Sequence, residues 1–159
     1  VFWIDLPAAD ADALQGSGPT AAPRQAAEAA FDVLYVEDNR SNIEVLKAFL
    51  APHSGICLRT AGDGPTGLAL AREKPPDIVL LDINLPGMGG YEVLRSLRDD
   101  ARLKSIPVVA LSADAMPHDV QRGLAAGFDR YVAKPVDLNE LLGALEALLG
   151  DGRAAVSAG

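Results

Sequence analysis

Cysteine occurs once in this sequence, at position 57, so no internal disulfide can brace the fold. The lone thiol falls in an apolar stretch and is expected to be a buried, reduced residue of a cytosolic protein. Basic side chains are also in short supply: 14 Lys and Arg stand against 22 Asp and Glu, a formal net charge of −8. That balance argues against direct binding of nucleic acid, whose partners ordinarily carry a basic face, and favours a cationic metal as guest. No window reaches the roughly 18 uncharged apolar residues a membrane-crossing helix requires, so no membrane contact is expected of this segment. The opening Val1-Phe2-Trp3-Ile4-Asp5 has neither an initiating Met nor the basic stretch of a signal peptide, and the sequence is expected to be cut from a longer one. Histidine is confined to His53 and His118, neither with a carboxylate or cysteine at ligand spacing. Both are expected at the surface, with no role as phosphodonor or metal ligand.

What is present is an ordinary globular composition, 49% hydrophobic and 23% charged, in a length that suits one domain with tails. Residues 1–7 (VFWIDLP) read as a strand severed from its sheet, and 8–30 as an Ala/Pro-rich linker with a short helix near 24–30. The domain is expected over 31–150, followed by a loose tail at 151–159. Inside it the hydrophobic period switches regularly. Strands are expected at 32–36, 56–60, 78–82, 107–111 and 128–132, and helices at 41–50, 65–73, 90–98, 117–126 and 138–149. The last helix has a Leu stripe from Leu138 to Leu149 at helical spacing, with Asp137 as its cap. Alternating βα units with short connections imply an α/β fold, a doubly wound parallel sheet with helices on both faces.

In such a sheet the crevice lies beyond the carboxyl ends of the strands, so the residue after each strand can meet its counterparts. The run Ile78-Val79-Leu80-Leu81-Asp82 carries a carboxylate to the start of a Pro/Gly turn, and Asp82 is the candidate reacting group. By itself it would pass for a turn-initiating Asp, just as Glu37 and Asp38 alone would pass for a solvated pair. With them, however, come Asn84, Ser112 after strand four and Lys134 after strand five. Three acids in one crevice repel unless a cation sits among them, and an all-oxygen site suits Mg²⁺. Metal, Lys134 and the Ser112 hydroxyl make a clamp for a phosphoryl group, with Asp82 as nucleophile and an aspartyl phosphate as product.

These residues resemble the receiver domain of two-component response regulators over roughly 32–150. The resemblance rests on Tyr35-Val36-Glu37-Asp38-Asn39, Asp82-Ile83-Asn84-Leu85-Pro86-Gly87-Met88, Leu111-Ser112-Ala113 and Tyr131-Val132-Ala133-Lys134-Pro135, in that order. It implies a flavodoxin-like five-stranded sheet of order 2-1-3-4-5. It further implies that Asp82 takes phosphate from a phosphohistidine on a histidine kinase or histidine phosphotransfer protein. Asp38, Asp82 and the Asn84 backbone carbonyl would bind Mg²⁺, with Glu37 acting through water. Ser112 and Tyr131 would form the conformational switch, and Lys134-Pro135 a cis peptide. Asn84 and Asp114 occupy positions that tune hydrolysis in the family. Gly89 departs from a common Asp after Met88 and is expected to change loop flexibility, not chemistry.

Residues 37–46 further resemble receivers appended to hybrid sensor histidine kinases, and VFWIDLP the final strand of a kinase ATP-binding domain. With about ten residues after the last expected helix, too few for a DNA-binding output domain, the segment is expected to be the C-terminal receiver of a cytoplasmic or membrane-anchored hybrid kinase. On this reading it catalyses only its own phosphorylation. The competing reading is an Asp-nucleophile phosphatase, which usually needs an acid two residues after the nucleophile where this sequence has Asn84. A third is a receiver that signals by protein contact alone. The literal Gly62-x-Gly64-x-x-Gly67 follows strand two, and Pro65 removes an N–H from the turn, so a turn and helix start are expected there instead of a dinucleotide site. Met88 and Trp3 are expected to be packing residues.

Overall fold

The computed structural model describes residues 31–53 and 55–158. The strand expected at 1–7 and the linker at 8–30 lie outside the described residues. Five strands alternate with five helices: β1 (Phe31–Val36), α1 (Arg40–Leu50), β2 (Ile56–Ala61), α2 (Gly64–Glu73), β3 (Ile78–Asp82), α3 (Gly90–Asp99), β4 (Val108–Ser112), α4 (Pro117–Ala126), β5 (Arg130–Ala133) and α5 (Leu138–Ala158). All pairings are parallel and the sheet runs β2-β1-β3-β4-β5, the order 2-1-3-4-5. From β1 in the middle of the sheet the described residues move to one edge, cross back over β1 and proceed to the other edge. The crevice opens where that direction reverses, between β1 and β3.

Every residue of β3 and β4 is buried, as a strand covered on both faces requires. Alternate side chains serve two cores. Leu34, Val36, Val79, Leu81, Val108 and Ala110 pack with Leu68 of α2 and Val93, Leu94 and Leu97 of α3. Val33, Tyr35, Ile78, Leu80, Val109 and Leu111 pack with Leu46 and Leu50 of α1 and Leu141, Leu145 and Leu149 of α5. Three helices begin on a side-chain cap: Asn39 accepts from the amides of Ser41 and Asn42, Asp63 from Thr66, and Asp137 from Asn139 and Glu140. Asp63 thus closes the Gly-rich turn as a helix start.

Charged anchors sit away from the crevice. Asp32, at the start of β1, pairs with Arg59 at 2.8 Å and Lys74 at 3.2 Å, while Arg59 donates to the carbonyls of Leu70 and Lys74. Arg98 donates to the carbonyls of Lys104, Ile106 and Gly127 and pairs with Asp129, whose carboxylate also accepts from the Val108 amide. These guanidinium groups collect the orphan carbonyls of helix ends and loops, so the inner end of the sheet is fixed by side chains that have no part in the crevice.

The structure corrects several expectations. Strands four and five begin later than expected, at Val108 and Arg130. The amides of Gly127 and Phe128 donate back to Leu124 and Gly123, ending α4, and buried Phe128 packs into the helical layer. The last helix continues past Leu149 to Ala158, because Gly150 and Gly152 each weaken a helix by only about 1 kcal/mol and Ala-rich sequence follows. Cys57 is exposed, since β2 is an edge strand and alternate residues face outward. His53 is half-buried with its ring 5.6 Å from that of Phe49, whereas His118 is exposed.

The first residue of α3 lies against the end of β3. A methyl group on Gly90 would lie 2.7 Å from both the Asp82 carbonyl oxygen and the Ile83 Cα, backbone atoms that cannot yield. Gly90→Ala should therefore cost about 1–3 kcal/mol in denaturant unfolding, whereas Gly62→Ala, with nothing within 4 Å, should stay within about 0.5 kcal/mol of the parent. Equal effects at the two positions would contradict this packing.

Candidate functional site

Four of the five strands, β1, β3, β4 and β5, deliver polar residues to the same rim. At the end of β1 the Glu37 amide donates to Ala61 at 2.9 Å, which fixes the backbone and turns the carboxylate inward with no exposed surface. Asp38, the next residue, is exposed. Asp82 is the last residue of β3 and is 3% exposed. Its Oδ1 accepts from the Asn84 amide at 2.9 Å, so the turn itself orients the carboxylate. Ser112 ends β4, buried, and its carbonyl accepts from the Lys134 amide at 2.8 Å. The Lys134-Pro135 peptide is cis. The Lys134 ammonium stands 3.0 Å from Glu37 Oε2 and 3.1 Å from Asp82 Oδ2.

Glu37, Asp38 and Asp82 each bring a carboxylate oxygen within 4.8 Å of the other two. One ammonium touches two of these acids, and among the described residues no cationic side chain pairs with Asp38. Three negative charges against one positive leave room for a divalent cation with hard oxygen ligands. Asp38 and Asp82 offer oxygens directly. Glu37 is already committed: Oε2 accepts from Tyr35 Oη at 3.1 Å, Asn42 Nδ2 at 3.0 Å and Lys134, while Oε1 accepts from the Asn39 amide at 3.1 Å.

Burial pushes the Asp82 carboxyl above its ordinary range and the adjacent Glu37 charge pushes the same way, against the hydrogen bonds from Asn84 and Lys134. Burial acts likewise on Glu37, but its bonds from Lys134, the Asn39 amide and Asn42 outweigh it and hold that carboxyl at about 2. Burial, then Glu37, raises the Tyr35 phenol far above its ordinary value, so it remains a donor. For Lys134 burial acts downward, yet contact with both acids raises it and keeps it an ammonium.

Of the residues singled out from sequence, Glu37, Asp38, Asp82 and Lys134 meet in one cluster. Ser112 borders it, with Oγ accepting from the Asp114 amide at 3.0 Å. Tyr131 points elsewhere: its hydroxyl donates to the Asp114 carbonyl at 2.9 Å, and its ring fills the place a Gly123 side chain would take, 2.5 Å from that Cβ. Tyr35 and Asn42 are members that strand-end reasoning passes over. Their signal is weak but real. Tyr35 lies two residues before Glu37, hence on the same face of β1, and Asn42 lies in the first turn of α1. A cavity of about 220 Å³ between α1 and α5 shares Tyr35, Asn42 and Lys134 with the cluster.

The family model for the response regulator receiver domain matches residues 33–146. The polar-differentiation response regulator DivK of Brucella ovis is 37% identical over 119 residues, covering 75% of this chain and 96% of DivK. The chemotaxis response regulator CheY4 of Vibrio cholerae superposes with a TM-score of 0.70 at 29% identity, over 75% of this chain and 98% of that one. The receiver domain of the sensor histidine kinase PA1611 of Pseudomonas aeruginosa, solved with a magnesium ion coordinated in its active-site cleft, does so with a TM-score of 0.70 at 33% identity, over 77% and 99%.

A carboxyl whose proton affinity is raised by folding binds more protons folded than unfolded, so stability falls as pH rises through the interval above its ordinary value of 3.8. In metal-free buffer Asp82→Asn should therefore melt above the parent at pH 7, and the gap should close as pH approaches 3.8. A variant that melts below the parent at pH 7 would reverse the sign assigned to Asp82.

Proposed function

Because this chain belongs to the response regulator receiver family of two-component signalling, we propose that Asp82 is the phosphoacceptor of residues 31–150, acting with Mg²⁺ held by Asp38, Asp82 and the Asn84 backbone carbonyl, and by Glu37 through water. The observation that carries this reading is the Lys134 ammonium between Glu37 and Asp82, beside three clustered carboxylates. The Asp82 carboxylate attacks phosphorus of a phosphohistidine. The new P–O bond replaces the P–N bond, and the imidazole leaves with the electron pair. Lys134 is placed to bind a phosphoryl oxygen and Ser112 to meet another as the group settles, while burial of Asp82 excludes water from the attacking oxygen. The metal, when bound, supplies positive charge to the transferring oxygens. Ser112 and Tyr131 form the switch: movement of the Ser112 hydroxyl toward the phosphoryl group frees Tyr131 from the Asp114 carbonyl and changes the α4 surface.

The phosphodonor is a histidine kinase or a histidine phosphotransfer protein. Among the described residues no helix is long and apolar enough to cross a membrane, and the acidic net charge of −8 supports a protein partner over nucleic acid. We further place this receiver at the cytoplasmic C-terminal end of a hybrid histidine kinase, a reading supported by VFWIDLP before the linker at 8–30 and by likeness to the receiver of a sensor histidine kinase. A parent gene with no ATP-binding domain upstream of Val1 would refute that placement.

Incubation with Mg²⁺ and acetyl phosphate should add one phosphate by intact mass, releasing acetate. Chelation of the metal or Asp82→Asn should abolish it, and Lys134→Met should slow it by about a hundredfold. Labelling that survives Asp82→Asn, or sustained turnover of phosphomonoesters, would place the chemistry elsewhere.

A further inference from the structure

Glu37 has no exposed surface, yet three side chains donate to its single oxygen Oε2: Tyr35 from β1, Asn42 from α1 and Lys134 from the β5–α5 connection. Only Lys134 is charged, and only Lys134 is shared, with Asp82 at 3.1 Å. If Asp82 carries a phosphoryl group, the ammonium is drawn toward the added negative oxygens and its hold on Glu37 loosens. A buried carboxylate that loses its cation is strongly destabilised unless other donors remain.

Two do remain. The Tyr35 phenol and the Asn42 amide stand 3.1 Å and 3.0 Å from the same oxygen. Neither reaches Asp82 in the structure, and neither carries charge that would compete with a metal or a phosphoryl group. Tyr35 is fixed in the core between β2 and β3, and Asn42 by the capped first turn of α1. We propose that Tyr35 and Asn42 are positioning residues: they hold the Glu37 carboxylate by neutral hydrogen bonds and so leave Lys134 transferable to a phosphoryl group on Asp82. The inference rests on Asp82 being the phosphoacceptor.

The test uses the 159-residue chain carrying Tyr35→Phe or Asn42→Ala, with three readouts: Mg²⁺ affinity by calorimetry, the rate of labelling by acetyl phosphate in saturating Mg²⁺, and affinity for beryllofluoride as a phosphoryl mimic. Each variant should bind Mg²⁺ within about twofold of the parent, while labelling and beryllofluoride affinity fall roughly tenfold, the worth of one hydrogen bond to a charged group. In a Glu37→Gln background, where no buried charge needs holding, Tyr35→Phe should have no further effect on beryllofluoride affinity. A structural role alone predicts loss of Mg²⁺ binding in step with labelling and the same loss in the Glu37→Gln background, and either result overturns the proposal. Labelling of both variants at the parent rate overturns it too, but leaves Asp82 as phosphoacceptor. Failure of the parent to label at all, or labelling after Asp82→Asn, instead removes the premise.

Discussion

One ammonium between two buried carboxylates sets the character of this molecule. Glu37 and Asp82 lie at the ends of adjacent strands, nearly without exposed surface, and Lys134 touches both. Without it, two like charges would share a low-dielectric crevice and only one of them would remain ionised. With it, the cluster still carries excess negative charge, because Asp38 adds a third carboxylate within 4.8 Å. The site is balanced for its neighbours and unbalanced for a dication, the condition under which a metal and then a phosphoryl group would be drawn in.

The fold makes that arrangement reproducible. Parallel strands linked by right-handed crossovers bring every carboxyl end to one rim, and the ladder hydrogen bonds fix how far each end projects. Ile83 donates to Leu111 and Lys134 to Ser112, so the tips of β3, β4 and β5 are registered to one another by backbone. Away from that rim, Arg59 and Arg98 collect helix-end carbonyls and acidic partners. Structural ion pairing and the crevice cluster thus use separate side chains, which leaves Lys134 to Glu37 and Asp82.

How much of this was legible in sequence follows from where each residue sits. Asp82, Glu37, Asp38, Ser112 and Lys134 end or follow apolar runs of strand length, so the strand pattern alone places them at one edge. Parallel pairing and the cap at Asp137 follow from the same periodicity, and the strand order from the family likeness. Tyr35 and Asn42 lie inside elements, and their convergence on Glu37 depends on how α1 crosses β1, which no local pattern records. Cys57 misleads because an apolar strand does not reveal that it lies at the edge of a sheet. The fourth helix ends at Ala126 as expected, but β5 starts later because Phe128 serves the helical layer, and α5 runs through two glycines that read locally as a stop.

The most direct test of the account is the ¹⁵N resonance of the Lys134 ammonium in the unphosphorylated, metal-free chain. A bridging ammonium should give a slowly exchanging signal, distinct from the exposed lysines, that shifts on both Glu37→Gln and Asp82→Asn and shifts again when beryllofluoride and Mg²⁺ are added. A signal that exchanges like those of exposed lysines and ignores all three changes would contradict the claim that Lys134 joins the two carboxylates.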